Sequence, residues 1–196
     1  YFGQYTGRTR TPGHWSNKNR MKDWRAYAAQ LNADWANLDL LERNSGDWVR
    51  PDGPEMYCRW DMQVSPPDIL ITNYAMLEYM LLRPIERRLW DATRAWLGSS
   101  LDNHLTLVLD EAHMYTGAKG AEIAYLIRRL RERLGIKPEQ LRCVATSASL
   151  GNGPGVEDAV RSFAQRLFDA DPNRIRIIRA QTEVPDEASR IDNASM

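Results

Sequence analysis

Five apolar-rich residues, Leu105-Thr106-Leu107-Val108-Leu109, run straight into Asp110-Glu111-Ala112-His113. A buried strand that ends in two carboxylates delivers both charges at the carboxyl edge of a sheet, where open α/β folds place their ligands. One carboxylate can hold Mg²⁺ while its neighbour orients an attacking water, the division of labour that nucleotide hydrolysis requires. Taken alone, an Asp-Glu pair after a strand is more simply a solvated turn. Its meaning depends on what stands beside it.

A second strand-like run, Leu141 to Ala145, leads into Thr146-Ser147-Ala148-Ser149. Hydroxyls can donate or accept, and an imidazole changes role with its tautomer or charge, so Ser147 and Ser149 are suited to a hydrogen-bond relay with His113. Upstream, Pro66-Pro67-Asp68-Ile69-Leu70-Ile71-Thr72-Asn73-Tyr74 reads as a short buried strand turning into a helix. Thr72 and Asn73 are placed either to cap that helix or to meet phosphate oxygens, and one residue can do both. Tyr5-Thr6-Gly7-Arg8-Thr9 looks like a strand turning through glycine, with Arg8 available to a phosphate.

The elements that position these groups follow from periodicity. Residues Asn19 to Asn44 place Met21, Trp24, Ala28, Leu31, Trp35, Leu38 and Leu41 at steps of three and four, predicting one long helix or two in succession. Trp24 and Trp35 on that face are expected in the core. Residues 45–67 are rich in Gly, Pro and Asp, a long loop in which Trp48 and Trp60, like Trp15 before them, could stack on a base or seal the loop. Helices are predicted over Tyr74 to Leu82, Gly120 to Leu134 and Val156 to Phe168, with a last strand at Ile175 to Ile178 and a polar tail over 180–196. Strands alternating with helices give an α/β fold, a parallel sheet with helices on both faces.

Composition narrows the class. With 26 Lys plus Arg against 26 Asp plus Glu in 196 residues, net charge supplies no general attraction to nucleic acid, and any such binding must come from local patches. Cys58 and Cys143 form neither a disulfide framework nor a metal cluster, which fits a reducing, cytoplasmic setting. No run approaches the length of a membrane helix. The start at Tyr1, without methionine and already strand-like, is expected of a fragment.

Taken together, these motifs resemble superfamily 2 helicases. Asp110-Glu111-Ala112-His113 resembles the DEAH form of motif II, or Walker B, and Ser147-Ala148-Ser149 resembles motif III, usually Ser-Ala-Thr. The run into Thr72 and Asn73 resembles motif Ib, and Tyr5 to Thr9 the strand-then-glycine element between motifs Ia and Ib. Tyr115, Gly117 and Gly120, with Arg128 and Arg129, resemble an extension found in Lhr-like and related large DNA helicases. The resemblance implies ATP and Mg²⁺ as cofactors. Asp110 would hold Mg²⁺, Glu111 would act as base and reach Mg²⁺ through water, and His113 would couple to Ser147 and Ser149. It also implies nucleic-acid contacts at Thr72, Asn73, Arg8, Arg128 and Arg129, with DNA favoured over RNA. For Arg131 and Arg133 an ordinary solvated helix face is the expectation.

No Gly-x-x-x-x-Gly-Lys-Ser/Thr loop occurs in the chain. An arginine finger and a second RecA-like domain are missing as well. The chain is therefore expected to be the later part of a first RecA-like domain over 1–179, with an insertion at about 10–67. Its partners would be nucleic acid and the remainder of the helicase, no membrane being involved, and alone it would hydrolyse ATP poorly. A reading of another class is a non-catalytic adaptor for nucleic acid or protein that keeps the helicase motifs.

Overall fold

The computed structural model describes residues 1–46, 48, 50–148 and 155–179. The chain divides into two compact units, Tyr1–Ser149 and Leu150–Met196.

In the first unit every strand pairing is parallel. Strand β1 (Phe2–Tyr5) lies between β2 (Glu55–Met56) and β3 (Ile69–Thr72), while β4 (Leu105–Leu109) pairs with β5 (Leu141–Ala145) in a second, two-stranded sheet. The helices are α1 (Lys18–Asn37), α2 (Leu40–Asn44), α3 (Arg59–Val64), α4 (Tyr74–Leu82), α5 (Arg87–Ser99) and α6 (Gly117–Leu134). The second unit holds α7 (Val156–Phe168) and a single 3-10 turn at Pro172–Arg174 among its described residues. The α/β class with parallel sheets is thus present.

Several boundaries have visible causes. The amide side chain of Asn73 accepts from the Met76 N–H at 2.9 Å and starts α4. Gly135 ends α6 at φ 62°, a left-handed conformation that lets its N–H reach the carbonyls of Arg131 and Glu132. The predicted Asn19 to Asn44 helix is two helices, because Leu38 is extended and Asp39 opens α2 with a capping box to Glu42.

Three elements differ from expectation. The loop predicted over 45–67 contains β2 and α3, and Met62 of α3 is fully buried, so the end of the insertion is part of the core. Helix α5 fills the stretch after Pro84 and buries Leu89, Trp90 and Leu97. Ile175–Ile178 forms no ladder, since the described residues of its unit contain no strand for it to pair with. The expected tail at 180–196 lies outside the described residues.

The core lies under one face of the strands. Tyr5, Met62, Met80, Trp90, Leu97 and Leu134 form its buried centre, and Leu70, Leu105 and Leu141 pack on it from β3, β4 and β5. The alternate positions point away. Ile69 is 62% exposed, Ile71 53%, Val108 57% and Val144 45%. Helices on both faces were expected, but among the described residues they cover one, because period-two alternation sends every second side chain to a face that no described helix reaches. Trp24 and Trp35 are likewise half-buried rather than core: Trp24 packs against Tyr27, and Arg43 lies over the Trp35 ring at 5.6 Å.

A buried polar cluster anchors β1. The Tyr5 hydroxyl donates to Glu86 Oε1 at 2.6 Å and accepts from Gln63 Nε2 at 2.8 Å, and Arg83 completes the pairing of the fully buried Glu86. Burial, reinforced by Glu86, pushes the Tyr5 hydroxyl well above the usual tyrosine range. It stays a donor at any ordinary pH. Burial also raises both free thiols, Cys58 and Cys143, to about 11, which keeps them protonated and unreactive near neutrality. Among the described residues no helix is long and apolar enough to cross a membrane.

Candidate active site and strand-binding edge

Strands β4 and β5 run in parallel register from Leu105 opposite Leu141 to Leu109 opposite Ala145. That register brings the turns at their carboxyl ends together. The turns are fastened by backbone bonds in both directions, Thr146 N to Leu109 O at 2.9 Å and Ala112 N to Thr146 O at 2.8 Å. The carboxylates and hydroxyls therefore meet on a fixed frame.

Asp110 Oδ1 accepts from the Thr146 hydroxyl and, at 3.1 Å, from the Glu111 N–H. Its other carboxylate oxygen has no partner among the described residues. Glu111 adopts φ 50°, ψ 44°, a left-handed conformation that costs a non-glycine residue about 1–3 kcal/mol. His113 Nδ1 lies 3.2 Å from the Ser147 hydroxyl and 3.2 Å from Glu111 Oε2. One imidazole nitrogen thus faces both a carboxylate and a hydroxyl of the adjoining turn. Asp110, Glu111 and His113 are all exposed, so a ligand can reach them.

The expected pairing of His113 with Ser147 is present, and Ser149 lies outside the described residues. Thr146 was not anticipated as the partner of Asp110. The signal was available: two parallel strands of equal length set Asp110 opposite Thr146 as surely as Leu109 opposite Ala145.

The strand-end residues of the first sheet are less free than their sequence implies. Thr72 pairs with Tyr5 in the ladder, and its hydroxyl donates to the Tyr5 carbonyl at 2.7 Å. Asn73 spends its side-chain oxygen on the α4 cap, which makes the capping role real and leaves its amide group to face outward. Arg8 is exposed on the Thr6–Thr9 turn, which the Thr9 hydroxyl pins to the Gln4 carbonyl at 2.6 Å. Arg129 pairs with Glu78 of α4 at 3.3 Å and Arg133 with Asp91 of α5 at 3.4 Å, so both tie helices together. Arg128 has no ion pair among the described residues and lies 5.8 Å from the Tyr125 ring.

Lys119 links the two edges. Its ammonium sits 5.3 Å from the ring of Tyr74, the first residue of α4, and 5.5 Å from that of Tyr115, which follows the His113 turn. Gly120 permits this closeness, because a Cβ there would come within 2.5 Å of the Tyr115 carbonyl oxygen.

Among the described residues no cluster of three or more His, Cys, Asp or Glu could cage a metal. Mg²⁺ does not need one. It is typically held by one or two carboxylates together with substrate phosphates, and Asp110 with one free oxygen fits that pattern.

The geometry has counterparts in known proteins. The DEAD/DEAH box helicase family matches residues 49–155. The Druantia protein DruE of Escherichia coli is 40% identical over 220 aligned residues, covering 91% of this chain and 12% of that protein. An uncharacterized ATP-dependent helicase of Methanocaldococcus jannaschii, MJ1574, is 30% identical over 105 residues, 54% of this chain and 13% of its own length. The chain thus spans about an eighth of these relatives. No solved structure matches it. With the family matching more than half of the chain, including both site turns as far as they are described, this chain belongs to the DEAD/DEAH box helicases.

Proposed function

We propose that this chain is the later part, over 1–179, of the first RecA-like domain of an ATP-dependent helicase or translocase acting on nucleic acid, with DNA favoured over RNA. The observation that carries this reading is the fastening of the two turns, Asp110 to Thr146 and His113 to Ser147. A merely solvated Asp-Glu turn would have no cause to be held so closely to a second hydroxyl-bearing turn.

In this reading Asp110 uses its free oxygen for Mg²⁺, which when bound neutralises phosphate charge. Glu111 acts as the base that orients and deprotonates the attacking water, and its left-handed backbone turns the carboxylate out of the strand direction. His113, shared between Glu111 and the Ser147 hydroxyl, senses what Glu111 does and passes it to the second turn, with Ser149 as a further acceptor of that signal. Arg8, Arg128 and the outward amide of Asn73 supply strand contacts, while Thr72 and Arg129 act through the backbone and helix they hold. The phosphate-cradling loop and its lysine belong to another part of the parent protein, so this chain alone turns over ATP poorly.

The test is Glu111→Gln in the full-length protein. Nucleic-acid-stimulated ATP hydrolysis should fall by about 10²–10⁴-fold while nucleotide still binds. Unchanged turnover would remove Glu111 from its role and leave the adaptor reading. Running the unmodified protein with single-stranded DNA and RNA of one sequence should show greater stimulation by DNA.

A further inference from the structure

The helicase motifs leave one charged surface unused. Six cations, Arg8, Arg10, Lys18, Arg20, Lys22 and Arg25, fall within eighteen residues that contain a single acid, Asp23, in a chain whose net charge is zero. Three of them are already occupied or belong to the turn described above: Arg8 sits on that turn, Arg10 stacks 3.6 Å from the Tyr27 ring centroid, and Arg20 packs its guanidinium against Gly13. The other three are not. Lys18, Lys22 and Arg25 share one face of α1 and have no ion pair or ring contact among the described residues.

These three, with Trp15, Ser16 and Met21, line an open groove of about 390 Å³. Trp15 is 60% exposed on a turn that is held rigid around it. His14 Nδ1 contacts the Ser16 hydroxyl at 2.8 Å, and the indole of the buried Trp60 donates to the Gly13 carbonyl at 2.9 Å. Trp60 therefore seals the insertion, whereas Trp15 presents its face outward. Folding gains little from this arrangement. Lys18 and Lys22 repel at an i, i+4 spacing, and the first turn of α1 carries cations and no acid, against the helix dipole.

We infer that this groove binds single-stranded nucleic acid, with Lys18, Lys22 and Arg25 on the phosphates and Trp15 stacked on a base. Flexible cations flanking an exposed aromatic match a polyanion whose bases are unpaired, and they match no apolar or cationic ligand. The groove continues the strand-binding edge. Arg59 Nη2 donates to the Thr6 carbonyl while Trp60 holds Gly13, so α3 fixes both ends of the segment running from the Arg8 turn to the basic helix. The inference rests on the proposal that the parent acts on nucleic acid and adds a second contact surface to it, outside the helicase motifs.

The test is fluorescence anisotropy of a labelled oligothymidylate with the full-length protein across a salt series. Lys22→Glu with Arg25→Glu should weaken binding about tenfold or more and flatten the dependence of log Kd on log salt by about two. The same pair changed to glutamine, which is milder to the helix, should flatten the slope as well. Trp15→Ala should weaken binding roughly five- to a hundred-fold with the slope unchanged, and Trp15→Phe should restore most of the affinity. If the unmodified protein binds but none of these changes affinity or slope, the groove is not a site and the helicase reading stands. If the unmodified protein does not bind at all, both fall. Loss of binding to phosphatidylserine vesicles with oligonucleotide binding intact would assign the groove to a membrane surface and overturn the inference.

Discussion

At the level of single residues, the hydroxyl of Thr146 is the group whose importance the motif pattern least suggests. It fixes one oxygen of Asp110 and leaves the other to a ligand. A hydrogen bond to a charged group contributes about 1.5–3 kcal/mol, so Thr146→Val, nearly the same shape without the donor, should lower ATP turnover in the full-length protein by about 10- to 100-fold. Steady-state kinetics alongside nucleotide titration would check this. Normal turnover would mean that the Asp110–Thr146 bond is incidental to the chemistry. His113 and Ser147 were legible from residue type and spacing. The roles of Thr72 and Asn73 were not separable that way, because capping and phosphate contact ask for the same side chains. Only the bonds to Tyr5 O and Met76 N show where their oxygens go.

Among the elements, β4 and β5 are held at their amino ends by one buried side chain. Gln140, immediately before β5, donates from Nε2 to the carbonyls of Leu97, Ser100 and Asn103 at 2.8–3.2 Å, closing the end of α5 and the turn that leads into β4. Gln140→Ala strands those carbonyls in a buried position, which should cost about 1–3 kcal/mol and lower the denaturation midpoint. It should also reduce ATP turnover, since the register that joins the two turns begins there. A variant as stable and active as the unmodified protein would show that the ladder alone keeps register. Helix α5 had a signal, with Leu89, Thr93 and Leu97 on one face, although its many charges dilute it. Helix α3 had almost none. At six residues it is too short for periodicity to speak, and its burial is decided by Tyr5 and Met80, distant in sequence.

For the molecule as a whole, the consequential feature is the uncovered face of the strands. Ile69, Ile71, Val108 and Val144 form apolar surface of the kind that associates in water. The chain produced by itself should self-associate, and Ile71→Lys with Val108→Lys should shift it toward monomer in sedimentation or light scattering. In the full-length protein the same pair should be destabilising, because whatever covers those positions would then bury two charges. A chain that is monomeric without the changes would show that the face is tolerated in water. The alternation in β3, β4 and β5 was legible. Which alternate side chains meet helices was not, since strands this short are apolar on both faces.

The sequence by itself determined the parallel α/β class, the positions of β3, β4, β5 and α6, and the chemistry of Asp110, Glu111 and His113, because these rest on local periodicity and on residue type at strand ends. Tertiary structure alone decided that Thr146 meets Asp110, that Arg129 belongs to Glu78, that Trp60 is sealed in while Trp15 faces out, and that one side of the strands is left open. Each of these depends on which segments lie side by side. Contacts between segments far apart in the chain are fixed by packing and register, which no local stretch of residues encodes.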